Sequence, residues 1–116
     1  MQTSPNYLKQ MGMQLKPYTR PIVWRSILQI ATTYLPFFLL FALSCRIMEQ
    51  HWAWSIPLNI LAGLFLVRIF ILQHDAGHGS FFPNRRANNA LGFVCSILTM
   101  VPYAAWQYTH AIHHST

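Results

Sequence analysis

Five of the six histidines in this 116-residue chain fall in two short clusters. His74 and His78 form the first cluster, and His110, His113 and His114 form the second. On a helix, residues four positions apart share one face with their Cβ atoms about 5–6 Å apart, so two histidines at this spacing can bind one metal ion. Because His113 and His114 point in different directions, the second cluster suits ligands that are divided between two metal ions.

The residue types around these clusters narrow the choice of metal. Imidazole suits iron, zinc, copper and nickel. Neither cluster contains a cysteine or a Glu-x-x-His pair, which argues against a zinc ribbon, an iron–sulfur centre and the carboxylate-bridged di-iron site of soluble bundles. Asp75 adjoins His74 and can orient its ring, although a helix-capping or solvated role is the alternative. His51, the sixth histidine, is interpreted as an interfacial polar residue.

The composition indicates that these histidines belong to a membrane protein. Charged residues make up 9% of the chain and hydrophobic residues 53%, whereas soluble domains carry roughly 25% charge. The same composition excludes a disordered chain. The net charge is +6, but the basic residues flank apolar runs, where they set topology and meet anionic lipids. No nucleic-acid-binding motif is present, so nucleic acid is not an expected partner.

Two apolar runs, residues 26–45 and 52–72, are each long enough to cross a hydrocarbon core of about 30 Å. The short connection between them predicts a helical hairpin whose two outer ends lie on one side of the membrane. That side carries six basic residues: Lys9, Lys16, Arg20, Arg25, Arg85 and Arg86. Since the connection carries only Arg46, the positive-inside rule places the basic arm (residues 1–25) and both histidine clusters in the cytoplasm.

A third apolar stretch, residues 91–106, reaches only about 24 Å as a helix and is too short for a comfortable span. If the two clusters share metals, this stretch must not separate them across the bilayer. We therefore expect a short interfacial or re-entrant apolar helix here, preceded by a loop over residues 79–89. The predicted fold class is all-α: two transmembrane helices forming a hairpin, plus this short helix.

Two segments resemble motifs of a known family. Residues 73–82 (QHDAGHGSFF) and 106–116 (WQYTHAIHHST) are similar to the first and second histidine boxes of the membrane fatty acid desaturases. The similarity is greatest to bacterial acyl-lipid enzymes of the delta-12/omega-3 type. It implies that residues 26–116 are the N-terminal part of a desaturase domain in the bacterial inner membrane.

The resemblance also implies a function. Desaturases of this kind hold two non-haem iron ions and use O2 to remove two hydrogens from a fatty acyl lipid. Their electrons come from a donor such as a ferredoxin or a cytochrome b5 type protein. The resemblance carries five residues over as iron ligands: His74, His78, His110, His113 and His114.

The chain departs from the family pattern in its length. Family members continue with another membrane hairpin and a third histidine box. Five imidazoles cannot fill two iron coordination spheres of roughly five or six ligands each. The sequence therefore predicts an N-terminal fragment that is inactive alone. Two alternatives stay open: a membrane di-iron oxygenase like the carotenoid hydroxylases and ketolases, and a non-enzymatic membrane module that binds metal or regulates a partner.

Overall fold

The computed structural model describes residues 4–18 and 20–115, and helices are the only regular elements in these ranges. The all-α prediction is confirmed. A single 3₁₀ turn, Lys16–Tyr18, follows the first helix. The five α-helices are α1 (Pro5–Leu15), α2 (Val23–Met48), α3 (Trp52–Gly77), α4 (Arg85–Thr99) and α5 (Tyr103–Ser115).

Helices α2 and α3 form the predicted hairpin. Each has 26 residues, about 39 Å of helix, and each is long and apolar enough to cross a membrane. Both are longer than the predicted runs of residues 26–45 and 52–72. The extra length of α3 matters for function, because the helix continues through His74 and is capped by His78. The first histidine pair is therefore built on the end of a long helix.

Small polar residues line the contact between α2 and α3. The Ser44 hydroxyl donates to Asn59 Oδ1 at 3.0 Å, and Thr33 is fully buried. Near the other end of the hairpin, the Ser26 hydroxyl donates to the carbonyl of Phe81 at 2.7 Å. Membrane helices approach closely through such residues, while their large apolar side chains face lipid. Many large apolar side chains of this hairpin are indeed exposed.

The predicted loop over residues 79–89 is wrong in its second half, because α4 begins at Arg85. Asn84 caps that helix by accepting a hydrogen bond from the Arg86 backbone N–H at 2.8 Å. Asn88 then fixes the turn that precedes α4. Its side chain accepts from the Phe82 N–H and donates to the Phe82 carbonyl, both at 2.8 Å.

The single helix expected over residues 91–106 is instead broken into α4 and α5, which are bent by 106°. Met100 adopts a left-handed conformation with φ 59°, and Pro102 offers no backbone N–H to continue α4. This pair has the length and composition of one broken span or of a re-entrant loop. The structure therefore holds two candidate transmembrane helices and one bent pair.

Helix α4 packs against the C-terminal half of α3, and the hydrophobic core lies at this contact. The buried apolar residues there are Ile69, Leu72, Ala76, Phe81, Leu91 and Cys95. Gly92 lets the ring of Tyr103 approach, because a Cβ on Gly92 would lie 2.2 Å from that ring. The Tyr103 hydroxyl lies 3.3 Å from both the Ala76 carbonyl and Asn89 Oδ1. The start of α5 is thereby fixed beside the end of α3.

Candidate metal centre

Four imidazole rings form a continuous row where α3 and α5 meet. The Nε2 atom of His78 lies 3.2 Å from that of His74 and 3.0 Å from that of His110. The Nε2 atom of His110 lies in turn 2.9 Å from that of His114. The structure thus joins the two histidine clusters, which are separated by 32 residues between His78 and His110, into one group. We call these four residues the histidine row.

The row is assembled from two helical pairs. His74 and His78 are four residues apart, and so are His110 and His114, which places each pair on one helix face. The 106° bend between α4 and α5 then turns the second pair toward the first. Ligand atoms of His74, His78 and His110 all lie within 4.8 Å of one another.

The fifth predicted ligand, His113, lies beside the row. Its ring centroid is 6.0 Å from that of His114. Both His113 and His114 are outside the three-residue group, but His114 reaches the row through its Nε2 contact with His110. Among the predicted ligands, the structure therefore brings His74, His78, His110 and His114 together and leaves His113 at the edge. His51 caps the opposite end of α3, far along the helix from the row.

Asp75 is next to the row, with Oδ1 at 3.4 Å from His74 Nδ1. This contact leaves His74 Nε2 facing His78. A carboxylate on one ring nitrogen fixes the tautomer and the orientation of a ligand imidazole. The position of Asp75 is consistent with that role, at a separation longer than that of an ordinary hydrogen bond.

Trp106 packs against two rings of the histidine row. Its ring stacks on that of His110, with centroids 4.7 Å apart and planes 15° apart, and it meets the His74 ring edge-on at 5.7 Å. This packing depends on Gly77, where a Cβ would lie 2.3 Å from the Trp106 ring. The Gln107 side chain donates to the Gly77 carbonyl at 3.2 Å. Trp106 and Gly77 therefore set the distance between α3 and α5.

A buried glutamine fixes the break between α4 and α5. Gln73 is fully buried; its Nε2 donates to the Val101 carbonyl at 3.3 Å, and its Oε1 accepts from the Thr99 hydroxyl at 2.7 Å. A buried amide needs such partners, because an unsatisfied polar group is unfavourable in an apolar environment. Gln73 precedes His74, so the same turn of α3 fixes the α4–α5 break and presents His74 to the row.

The row favours neutral imidazoles. Desolvation lowers the pKa of His78 below its ordinary value, and the neighbouring His74 lowers it further. The pKa of His110 is also lowered, first by desolvation and then by His114 and the other rings. A neutral imidazole is the form that binds metal.

The spacing and donor chemistry of the row fit a metal centre. Two imidazole nitrogens that each bind one ion at about 2.0–2.1 Å lie no more than about 4.2 Å apart. The separations of 2.9–3.2 Å along the row are within that limit, so each neighbouring pair could bind one ion. All four donors are imidazoles, which suits a first-row transition metal.

Sequence reasoning missed three supporting residues. For Trp106 the available signal is its place one turn before His110, since that spacing shares a helix face. Gln73 and Gly77 gave no signal of their own. Their roles come from contacts with Val101, Thr99 and Trp106, which only the tertiary fold brings near.

Comparison with known proteins places both histidine clusters within one family. Residues 50–116 match the family model described as fatty acid desaturase. The chain is 38% identical over 115 residues to a fatty acid desaturase of Bacillus subtilis (strain 168), an alignment that covers 99% of this chain and 33% of the relative.

Further relatives show the same partial coverage. A delta(12) fatty acid desaturase of Mortierella alpina is 28% identical over 93 residues, or 80% of this chain and 22% of the relative. An oleate hydroxylase of Claviceps purpurea is 34% identical over 61 residues, or 53% and 13%. The chain thus spans a third or less of the length of these relatives. No solved structure matches it.

Proposed function

The chain belongs to the fatty acid desaturase family, and from this premise we propose that its histidine row supplies ligands to the non-haem di-iron centre of an O2-dependent fatty acyl desaturase. Membership confirms the resemblance inferred from the two histidine boxes. The observation that carries the proposal is the meeting of those boxes, with four Nε2 atoms in sequence at 2.9–3.2 Å. When bound, non-haem iron supplies the O2 chemistry that side chains cannot.

Each residue of the site has a proposed role. His74, His78, His110 and His114 are metal ligands, and His113 is a fifth ligand at the edge of the row. Asp75 orients the His74 ring, which lies 3.4 Å away. Trp106 holds the His110 ring by stacking. This ligand set is incomplete for two ions of roughly five or six ligands each, so the chain alone binds fewer than two irons and does not desaturate.

The surroundings of the row suit an apolar substrate. A cleft of about 350 Å³ opens beside His78, His110 and His114, and Trp106 forms part of its wall. The other edge of the Trp106 ring meets Phe70, with centroids 6.1 Å apart. Apolar walls exclude water from the reacting part of an acyl chain. The proposed substrate is therefore a fatty acyl lipid that approaches over Trp106.

The proposal extends to orientation and partners. Basic residues flank the end of the hairpin that carries the row, which supports a cytoplasmic site in the bacterial inner membrane. The co-substrate is O2. The electron donor is a soluble or membrane-bound protein of the ferredoxin or cytochrome b5 type.

Metal titration of the purified chain tests the proposal. Cobalt(II) absorption in detergent should report binding to the wild type, at fewer than two ions per chain, and elemental analysis should give the same limit for iron. The His78→Ala variant should lose most of this binding, because His78 is in the middle of the row. His51→Ala is the matched control, since His51 lies at the other end of α3. Equal loss in both variants would refute the site.

A second reaction has support from one comparison. The oleate hydroxylase of Claviceps purpurea matches 61 residues of this chain. Desaturation and hydroxylation both begin by abstracting hydrogen from an unactivated carbon, so the same ligand row serves either outcome. Product analysis with a full-length protein that contains this sequence distinguishes a double bond from an inserted hydroxyl group.

A further inference from the structure

A second cleft lies at the same end of the hairpin but contains none of the histidines. It has a volume of about 270 Å³ and lies where the start of α2 meets the end of α3. Arg20, Arg25 and Gln29 line it from the side of α2, and Asp75 and Ser80 line it from the side of α3. We call it the arginine cleft.

The polar groups that remain open in this cleft are mainly cationic. Its serine hydroxyls are already used, because Ser26 donates to the Phe81 carbonyl at 2.7 Å and Ser80 donates to the Asp75 carbonyl at 3.0 Å. Within residues 4–18 and 20–115, neither Arg20 nor Arg25 is in an ion pair with a carboxylate. The cleft therefore offers two exposed guanidinium groups against one carboxylate, that of Asp75, which contacts His74 Nδ1 at 3.4 Å and pairs with neither arginine.

The backbone adds to this positive character. Helix α2 begins at Val23, and Ile22 caps it without a side-chain hydrogen bond. The first N–H groups of a helix have no partner inside the helix and carry partial positive charge. The side chains of Arg20 and Arg25 flank this helix start. An anionic group in the cleft would meet both arginines and the N-terminus of α2.

A polar track continues from the cleft along the hairpin. Arg25, Gln29 and Thr32 follow one another at helical spacing on α2. The Arg68 side chain from α3 donates to the Thr32 hydroxyl at 3.3 Å. Arg68 lies nine residues before the end of α3, about 13–14 Å into the hairpin. A charge at that depth is unfavourable in lipid unless it reaches polar groups or the headgroup layer.

We propose that the arginine cleft binds the phosphate of a membrane phospholipid, with Arg20 and Arg25 as its ligands. A lipid is favoured over a free phosphate because the cleft opens at the end of two candidate membrane helices. Trp24, next to Arg25, is 61% exposed and lies under the Arg25 guanidinium at 5.7 Å. An exposed tryptophan at a helix end is typical of the headgroup layer.

The acyl chains of this lipid have a path along the same helix. Leu28 and Leu35 are large exposed apolar side chains on α2, near the helix face that carries Arg25 and Gln29. The proposal does not depend on the function proposed above, because its ligands, Arg20 and Arg25, have no part in the histidine row; Asp75 is the residue that lines the cleft and also contacts the row. Each can fail while the other stands.

Lipid binding by the detergent-purified chain tests this inference. Native mass spectrometry measures phosphatidylglycerol bound to the wild type and to the Arg20→Gln and Arg25→Gln variants. Each substitution should weaken binding by about five-fold, the effect of one basic residue near an anionic lipid surface. Arg46→Gln is the matched control, because it removes the same charge from the last turn of α2, at the opposite end of the helix.

A second set of measurements changes the ligand instead of the protein. Diacylglycerol with the same acyl chains lacks the phosphate, so its binding should be equal in the wild type and in Arg25→Gln. Displacement of phosphatidylglycerol by an equal concentration of inorganic phosphate would overturn the assignment to a lipid. Equal losses in Arg25→Gln and Arg46→Gln would overturn the site itself. Unchanged helix content by circular dichroism and unchanged cobalt binding show that the variants are folded.

Discussion

At the scale of single residues, the site depends on how close Gly77 allows Trp106 to come. The Trp106 ring occupies the space that a Cβ on Gly77 would fill, at 2.3 Å. It stacks on His110 from that position and touches His74 as well. The spacing of the histidines predicted that His74 and His78 share a helix face, and it left both His113 and His114 as possible neighbours of His110. It did not predict that the pairs meet, because that contact rests on Gly77 and Trp106.

Gly77→Ala should weaken cobalt binding by about ten-fold or more. The new methyl group would push Trp106 away from α3, and the His110 ring would move with it, which increases the distances along the row. Residues that orient metal ligands typically affect metal affinity by about 10–100-fold. Gly63→Ala on the same helix is the control, because nothing lies within 4 Å of a Cβ there. Absorption titration measures both variants. Equal affinities would show that Trp106 does not position the row.

The lowered pKa values of His78 and His110 predict a pH profile for metal binding. Below the ordinary histidine pKa of 6.5, an isolated imidazole is largely protonated, whereas these two rings stay neutral to lower pH. The unfolded chain therefore binds more protons than the folded chain just below pH 6.5. The free energy of unfolding consequently decreases as the pH is lowered through that window.

Cobalt binding should accordingly persist to below pH 6.5 and be lost only as the pH falls through the lowered pKa values. Titration of the cobalt absorption band from pH 8 downward checks this. A midpoint above 6.5 would contradict it.

At the scale of elements, the hairpin was predictable and the bent pair was not. Two apolar runs with a short connection suffice to specify α2 and α3. The prediction of a loop over residues 79–89 was wrong from Arg85 onward, where α4 begins. Asn88 fixes the turn before this helix by two hydrogen bonds to the Phe82 backbone. Pro102 signalled an interruption, but the left-handed Met100 carried no signal, since that conformation is typical of glycine.

The Gln73–Thr99 hydrogen bond should stabilise the bend by a measurable coupling. Thr99→Val leaves the buried Gln73 Oε1 without its partner, and Gln73→Leu leaves the half-buried Thr99 hydroxyl and the Val101 carbonyl without theirs, so each destabilises by about 1–3 kcal/mol. The double variant should be less destabilised than the sum of the two, by about 0.5–1.5 kcal/mol. Chemical unfolding in detergent, followed by circular dichroism, gives the three free energies of unfolding. Strict additivity would show that the hydrogen bond does not hold the break.

At the scale of the whole molecule, the histidine row and the arginine cleft share one end of the hairpin, where α2 begins and α3 ends. The basic residues of the chain concentrate at this end, and their distribution along the sequence predicts that this end faces the cytoplasm. Composition could not predict the clefts, because each depends on which helix faces pack together.

Labelling of introduced cysteines should report the row's end of the hairpin as cytoplasmic. In a background without Cys45 and Cys95, a membrane-impermeant reagent added outside should react with Glu49→Cys, which lies between α2 and α3, and not with Ser80→Cys. The reason is the excess of lysine and arginine at the Ser80 end. The opposite pattern would reverse the orientation. Tags after residue 116 should be inside if α4 and α5 do not cross.

Because α5 brings the second histidine pair to the first, the row is completed only after α5 has been synthesised. A chain is synthesised from its N-terminus at about 5–20 residues per second. His78 therefore emerges roughly 2–6 s before His110, which follows 32 residues later. During that interval the ribosome has delivered only a two-imidazole pair at the end of α3. Under the proposed function, the full row can therefore bind metal only after α5 has been synthesised.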